Sequence, residues 1–135
     1  MFRLDKKKIF LLYQYYLLGS AHFSDTSLLA LEERIKNRER IVWFNNCLKR
    51  EKFLRERISK KLKAGWEFSC LPPLERAVLV YAACELFSEK NDSLEKIIID
   101  QTINFSKVYL EEQKYKYINK VLDLLIKERK ENLRE

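Results

Sequence analysis

Apolar positions in this chain recur every three or four residues, the period of an α-helix with one buried face. Seven helical segments follow from that pattern. The first runs from about Leu4 to Leu18 and stops near Gly19-Ser20. Ser24 or Asp25 is suited to cap the second, whose stripe is Leu28, Leu31 and Ile35. The third holds Ile41, Phe44 and Leu48. The fourth holds Leu54, Ile58 and Leu62 and ends at Ala64-Gly65, with glycine as the C-terminal cap. These two also fit one bent helix. Pro72-Pro73 opens the fifth, where a missing N–H would be unpaired in any case. Leu74, Ala77, Val78, Tyr81 and Ala82 form its stripe, and Leu79, Val80, Ala83 and Cys84 fill most of the rest. A helix apolar nearly all round is a central one. The sixth begins after Asn91-Asp92-Ser93, with Ile98, Phe105 and Val108 inward. The seventh carries Ile118, Val121, Leu122 and Leu125, and its charged end, Lys127 to Glu135, is expected to fray.

Composition agrees with an all-α fold of about seven helices. The 135 residues suit one domain, and 47% of them are hydrophobic, enough for a packed core. Only two Gly and two Pro are present, too few for a chain of β-turns. The longest apolar run, Ile9 to Leu18, is broken by Gln14. It is shorter than the about 20 residues that span a membrane, so no membrane segment is expected. Gln14 and the aromatics favour a buried first helix over a signal peptide, with Gln14 hydrogen-bonded inside it.

Charge changes the picture. The formal net charge is +7, and residues 38–63 carry 10 basic and 3 acidic groups, which accounts for all of it. Residues 1–37 carry 6 and 4, and residues 64–135 carry 11 and 13. A second small cluster is Arg3, Lys6, Lys7 and Lys8, diluted by Asp5. Such asymmetry suits a phosphate backbone as partner, or a solvated helix face; for 38–63 both stay open.

Catalytic chemistry finds no support. His22 is the single histidine and lies in a polar connection. The cysteines, 47, 70 and 84, are odd in number and lack metal-ligand spacing. They argue for a reducing, cytoplasmic setting, with Cys84 as a small buried hydrophobe. Two isolated glycines make no phosphate-cradling loop, and Glu111-Glu112 read as solvated loop charges. An enzyme is not expected, and no cofactor is implied.

The ordered set Trp66, Leu74-Glu75-Arg76-Ala77-x-Leu79 … Glu85-Leu86, Ile99-Asp100 and Tyr117-x-Asn119-x-Val121-Leu122-Asp123 resembles the NusB-type transcription antitermination factors. Lys107, Tyr109 and Lys116 fall on the same pattern, as does a basic cluster, Lys6-Lys7, ahead of Gln14. The resemblance implies N-terminal and C-terminal helical bundles, about 1–65 and 66–135, packed together. It implies an RNA-binding adaptor that pairs with NusE, a small-subunit ribosomal protein, on boxA RNA within the RNA polymerase antitermination complex. Carried over, the RNA-facing residues are Lys6, Lys7, Lys116 and Tyr117, to which charge adds Arg3 and Lys120. Trp66, Arg76 and Glu85 read as structural, with Arg76 facing a carboxylate, and Asn119 and Asp123 as braces between helices.

The chain departs from the family where Lys120 and Leu110 replace glycines, Gln101 replaces a glutamate, and lysines replace N-terminal arginines. Lysine lacks arginine's bidentate fork, so boxA reading is the property most exposed to these changes. An alternative is an interaction module that keeps the fold without specific RNA recognition. A third option is kinship with the NusB-like domain of some ribosomal RNA methyltransferases. Some family members form homodimers, an option here too.

Overall fold

A helix begins with unpaired backbone N–H groups, and Asp5 supplies an acceptor for one of them. In the computed structural model the Lys7 N–H donates to Asp5 Oδ1 at 3.0 Å, and α1 runs Lys6–Leu18. Gly19 ends it at φ 84°, a left-handed conformation that a β-carbon disfavours. The structure describes residues 2–19, 37–88, 91 and 93–134, with side chains as far as 131. The expected helix around Leu28, Leu31 and Ile35, its Ser24 or Asp25 cap, and His22 lie outside the described residues.

Asn37 caps the next helix through its Oδ1 and the Arg40 N–H, 3.0 Å apart. This helix, α2, is Arg38–Lys61. The expected third and fourth helices are therefore one, since no Gly or Pro interrupts the segment. It stops at Lys61 rather than at Ala64. Gly65 instead serves the following turn, at φ 87°. A 3-10 turn, Phe68–Cys70, leads into α3, Pro73–Leu86, which opens on proline as expected. The remaining helices are α4, Glu95–Tyr109, and α5, Tyr115–Arg134. Five α-helices and no strand stand among the described residues, against an expectation of about seven helices overall.

α3 is the central helix. Ten of its residues are buried, and α1, α2, α4 and α5 all pack on it, α1 most extensively. Burial of each large aliphatic side chain is worth about 1.5–3 kcal/mol, so the element that buries most organises the rest. The core is one cluster that runs across residue 65. Ile9, Leu12, Phe44, Leu54 and Ile58 come from before it, and Val78, Leu79, Ile98, Ile118, Leu122 and Leu125 from after it. The seventh stripe, Ile118, Val121, Leu122 and Leu125, is fully inside, and so is Cys84, beside Cys47.

Several side chains sit where the pattern does not put them. Val108 is 74% exposed. A helix turns about 100° per residue, so Val108 lies roughly 80° off the stripe of Ile98, Thr102 and Phe105. Gln14 is only half-buried and lines an open groove with Phe10, Tyr13, Leu17 and Leu18. Asn119 and Asp123 face solvent and make no bracing contact among the described residues. Arg76 meets no carboxylate among the described residues: its Nε donates to the Leu71 carbonyl at 2.9 Å, and its guanidinium lies 5.1 Å from the Tyr16 ring centroid. The charged end of α5 remains helical to Arg134. Glu128 there accepts from Arg57 of α2 at 2.7 Å, and Arg129 donates to the Leu86 carbonyl at 2.6 Å.

Candidate nucleic-acid interface

The backbone of the segment ahead of α1, which carries Arg3, is pinned. Gln101 of α4 brackets Arg3: its Oε1 accepts from the Leu4 N–H at 2.7 Å and its Nε2 donates to the Phe2 carbonyl at 3.1 Å. The Asp5 N–H donates to the hydroxyl of Tyr81, 3.0 Å away and buried in α3. Burial, above all, pushes the Tyr81 hydroxyl above the usual tyrosine range, so it stays protonated. Asp5, far from merely diluting the cluster, caps α1 and pairs with Arg40 at 2.7 Å.

Lysines 6, 7 and 8 follow on the first turn and fan out. Lys6 Nζ lies 5.4 Å from the Tyr109 ring centroid, at the end of α4. Lys8 Nζ lies 5.1 Å from the Trp43 ring, on α2. Lys7 is exposed, as are Arg3 and Lys6. Cations at the positive end of a helix are each unfavourable by about 0.3–1 kcal/mol. No acidic residue stands in that turn. An anion placed there gains from both the lysines and the helix end.

The second group rides on the start of α5. Lys116 and Lys120 are exposed and four apart, on one face; Lys116 Nζ is 3.4 Å from Gln113 Oε1. Tyr117 is tied down. Its hydroxyl donates to Glu75 Oε1, and Glu75, on the first turn of α3, is 4% exposed. Burial and the Glu75 carboxylate hold the Tyr117 hydroxyl far above its ordinary pKa. The Tyr117 ring meets Trp66 edge-on at 5.4 Å, and Trp66 itself is 43% exposed. Any base contact by Tyr117 is therefore left to its ring.

The end of α4 touches both groups. Lys6 rests on Tyr109, and Lys107 Nζ lies 4.9 Å from the ring of Tyr115, the first residue of α5. Lys107 and Lys8 are thus cations beside aromatic rings that the sequence does not single out for contact. Lys8 is signalled only by its neighbours, and Lys107 only by its place on the family pattern, with no contact role attached to it. Four of the ten basic residues in 38–63 are engaged in ion pairs. Arg40, Arg55, Arg57 and Lys61 each lie within 4.0 Å of a carboxylate, namely Asp5, Glu51 and, for the last two, Glu128. Arg38, Lys49, Lys52, Lys60 and Lys63 are exposed.

Among the described residues, no group of His, Cys, Asp and Glu could hold a metal ion, and no helix is long and apolar enough to cross a membrane. The chain is similar to several proteins of known identity. The transcription antitermination protein NusB of Wolinella succinogenes is 31% identical over 119 residues, which cover 85% of each chain. That of Sulfurimonas denitrificans is 28% identical over 116 residues, 83% of this chain and 86% of its own. That of Macrococcus caseolyticus is 30% identical over 83 residues, spanning 62% of either protein. No solved structure gives a significant match. The NusB family profile matches residues 20–127, which leaves Arg3, Lys6 and Lys7 ahead of the matched span. With four-fifths of its length on that profile and these relatives beside it, the chain belongs to the NusB family of transcription antitermination proteins.

Proposed function

We propose that this chain is a cytoplasmic RNA-binding factor that acts with NusE on boxA-like RNA during ribosomal RNA transcription, within the RNA polymerase antitermination complex. The observation that carries this is the pinned basic N-terminus. Arg3, Lys6 and Lys7 are exposed at the positive end of α1, and Gln101, Tyr81 and Asp5 fix the backbone beneath them. Lys116 and Lys120 extend the same chemistry onto α5, and Tyr117 offers a ring edge supported by Trp66. Lysines contact phosphate as hydrated point charges, which supplies affinity. Sequence reading then falls to base contacts and to the NusE partner.

Charge reversal at Lys6 and Lys7 tests the surface. The double variant should bind RNA more weakly and show a shallower dependence on salt. The log–log slope should fall by about 0.7 for each single-strand phosphate that is no longer neutralised. An unchanged slope means that RNA docks elsewhere.

A second reading, an interaction module without boxA specificity, draws on Val108 and Tyr109. Both are exposed beside Lys6, an apolar surface better suited to protein than to phosphate. Under that reading NusE binding persists with no preference among RNA sequences. Light scattering on the free chain decides between a monomer and a homodimer.

A further inference from the structure

A polar pocket of about 490 Å3 opens between the start of α1, the middle of α2 and the end of α3. Arg3, Lys8 and Arg50 bring three cations to it, and Glu39 and Glu85 two carboxylates. The carboxylates do not balance the cations equally. Both Glu85 oxygens are engaged by neutral donors: Oε1 accepts from Trp43 Nε1 at 2.8 Å and Oε2 from Asn91 Nδ2 at 3.1 Å. Glu39 is exposed and sits in the first turn of α2, where a carboxylate complements the helix end.

None of the three cations pairs with a carboxylate among the described residues. Arg40, Arg55 and Arg57 on the same helix each meet a carboxylate, whereas Arg50 has none among the described residues. Lys8 is steered by the Trp43 ring, whose position is fixed in turn by Glu85 and by Tyr81, 5.6 Å away. Arg3 stands on the backbone that Gln101 clamps on both sides. At the floor lie Cys47 and Cys84.

Resting on the RNA-binding reading above, we infer that this pocket receives a backbone phosphate of the bound RNA, held by Lys8 and Arg50 with Arg3 at its mouth. Arginine's fork is suited to two oxygens of one phosphate, and Lys8 adds a point charge. Trp43 does not stack on a base here, because Lys8 and Tyr81 lie against its ring. It stabilises the lysine, and it reports on what enters. Lys6 and Lys8 diverge to opposite neighbours, Tyr109 and Trp43, so the pocket extends the RNA path from the α4 side of α1 to its α2 side.

The test uses the full chain and a boxA-like single-stranded RNA, with NusE present, at several salt concentrations. Arg50→Gln and Lys8→Gln should each weaken binding several-fold and reduce the log–log salt slope by about 0.7, while Arg50→Lys retains most of the slope. In a Trp66→Phe background, RNA should change the emission of Trp43, and Arg50→Gln should diminish that change. Thermal melts confirm that each variant is folded. If both glutamine variants match the parent while charge reversal at Lys6 and Lys7 still weakens binding, the pocket assignment fails and the RNA reading stands. If the parent binds no RNA with NusE, both fail. A Trp43 response to poly-glutamate but not to RNA assigns the pocket to an acidic protein partner and overturns the inference.

Discussion

Tyr117 shows how one residue can look like a contact and serve as a strut. Its hydroxyl is the hydrogen-bond partner of a carboxylate that is 4% exposed. Removing one side of such a pair leaves the other desolvated and unmatched. Tyr117→Phe should therefore destabilise the fold by about 1.5–3 kcal/mol, read as a lower urea midpoint with an unchanged m-value. Gln101 is the opposite case, a departure from the family pattern that has a local purpose. It donates to one backbone group and accepts from another, and glutamate at that place could only accept. Gln101→Glu should cost about 1–3 kcal/mol and weaken RNA binding, because Arg3 loses its clamp. A stable variant with lower affinity would isolate the positioning role; unchanged stability and affinity would refute the clamp. The buried tyrosines set a pH limit. Tyr16, Tyr81 and Tyr117 are all raised above the ordinary range, chiefly by burial. Each folded hydroxyl holds its proton longer than the unfolded one, so their contribution is full below about pH 10. It is lost as pH rises above that toward the folded values. Melting temperature should be level from pH 7 to 9 and decline beyond 10, and Tyr117→Phe should flatten the decline.

At the scale of elements, periodicity is enough to find α1, α3, α4 and α5, because each has a stripe that repeats. It divides α2 in two, since the polar stretch Lys49 to Lys52 hides a continuous inner face of Cys47, Glu51, Leu54 and Ile58. A glutamate on that face is invisible to a hydrophobic pattern. It is tolerated because Tyr16 donates to it at 2.8 Å and Arg55 lies 3.2 Å away. The same limit conceals the end of α5. Charged residues from Lys127 onward read as a fraying tail, yet Glu128 joins α5 to Arg57 and Lys61 of α2. Glu128→Ala should reduce stability by about 1–3 kcal/mol, measurable by denaturation. It should also raise amide exchange in the last turns of α5, which a surface tail would not do. The exposed basic positions are legible as charge but not as geometry. Nothing in the spacing of Lys6 and Lys8 tells which ring each will meet, and pairing of Arg40 with Asp5 joins residues 35 apart.

At the scale of the whole molecule, one central helix gathers the others, and the basic residues divide into two classes. Some are consumed in holding helices together. Others stay exposed: Arg3, Lys6 and Lys7, Lys116 and Lys120, and, in the basic middle, Arg38, Lys49, Lys52, Lys60 and Lys63. Net charge alone therefore overstates the surface available to an anion. The central claim is that this NusB-family chain recognises boxA-like RNA together with NusE. Its most direct test is a titration of labelled boxA-like RNA and a scrambled control with the chain, NusE and their mixture, at two salt concentrations. The account predicts that the mixture binds boxA-like RNA more tightly than either protein alone and more tightly than the scrambled sequence, with a preference that persists at the higher salt. Equal binding of both RNAs by the mixture at both salt concentrations would contradict it.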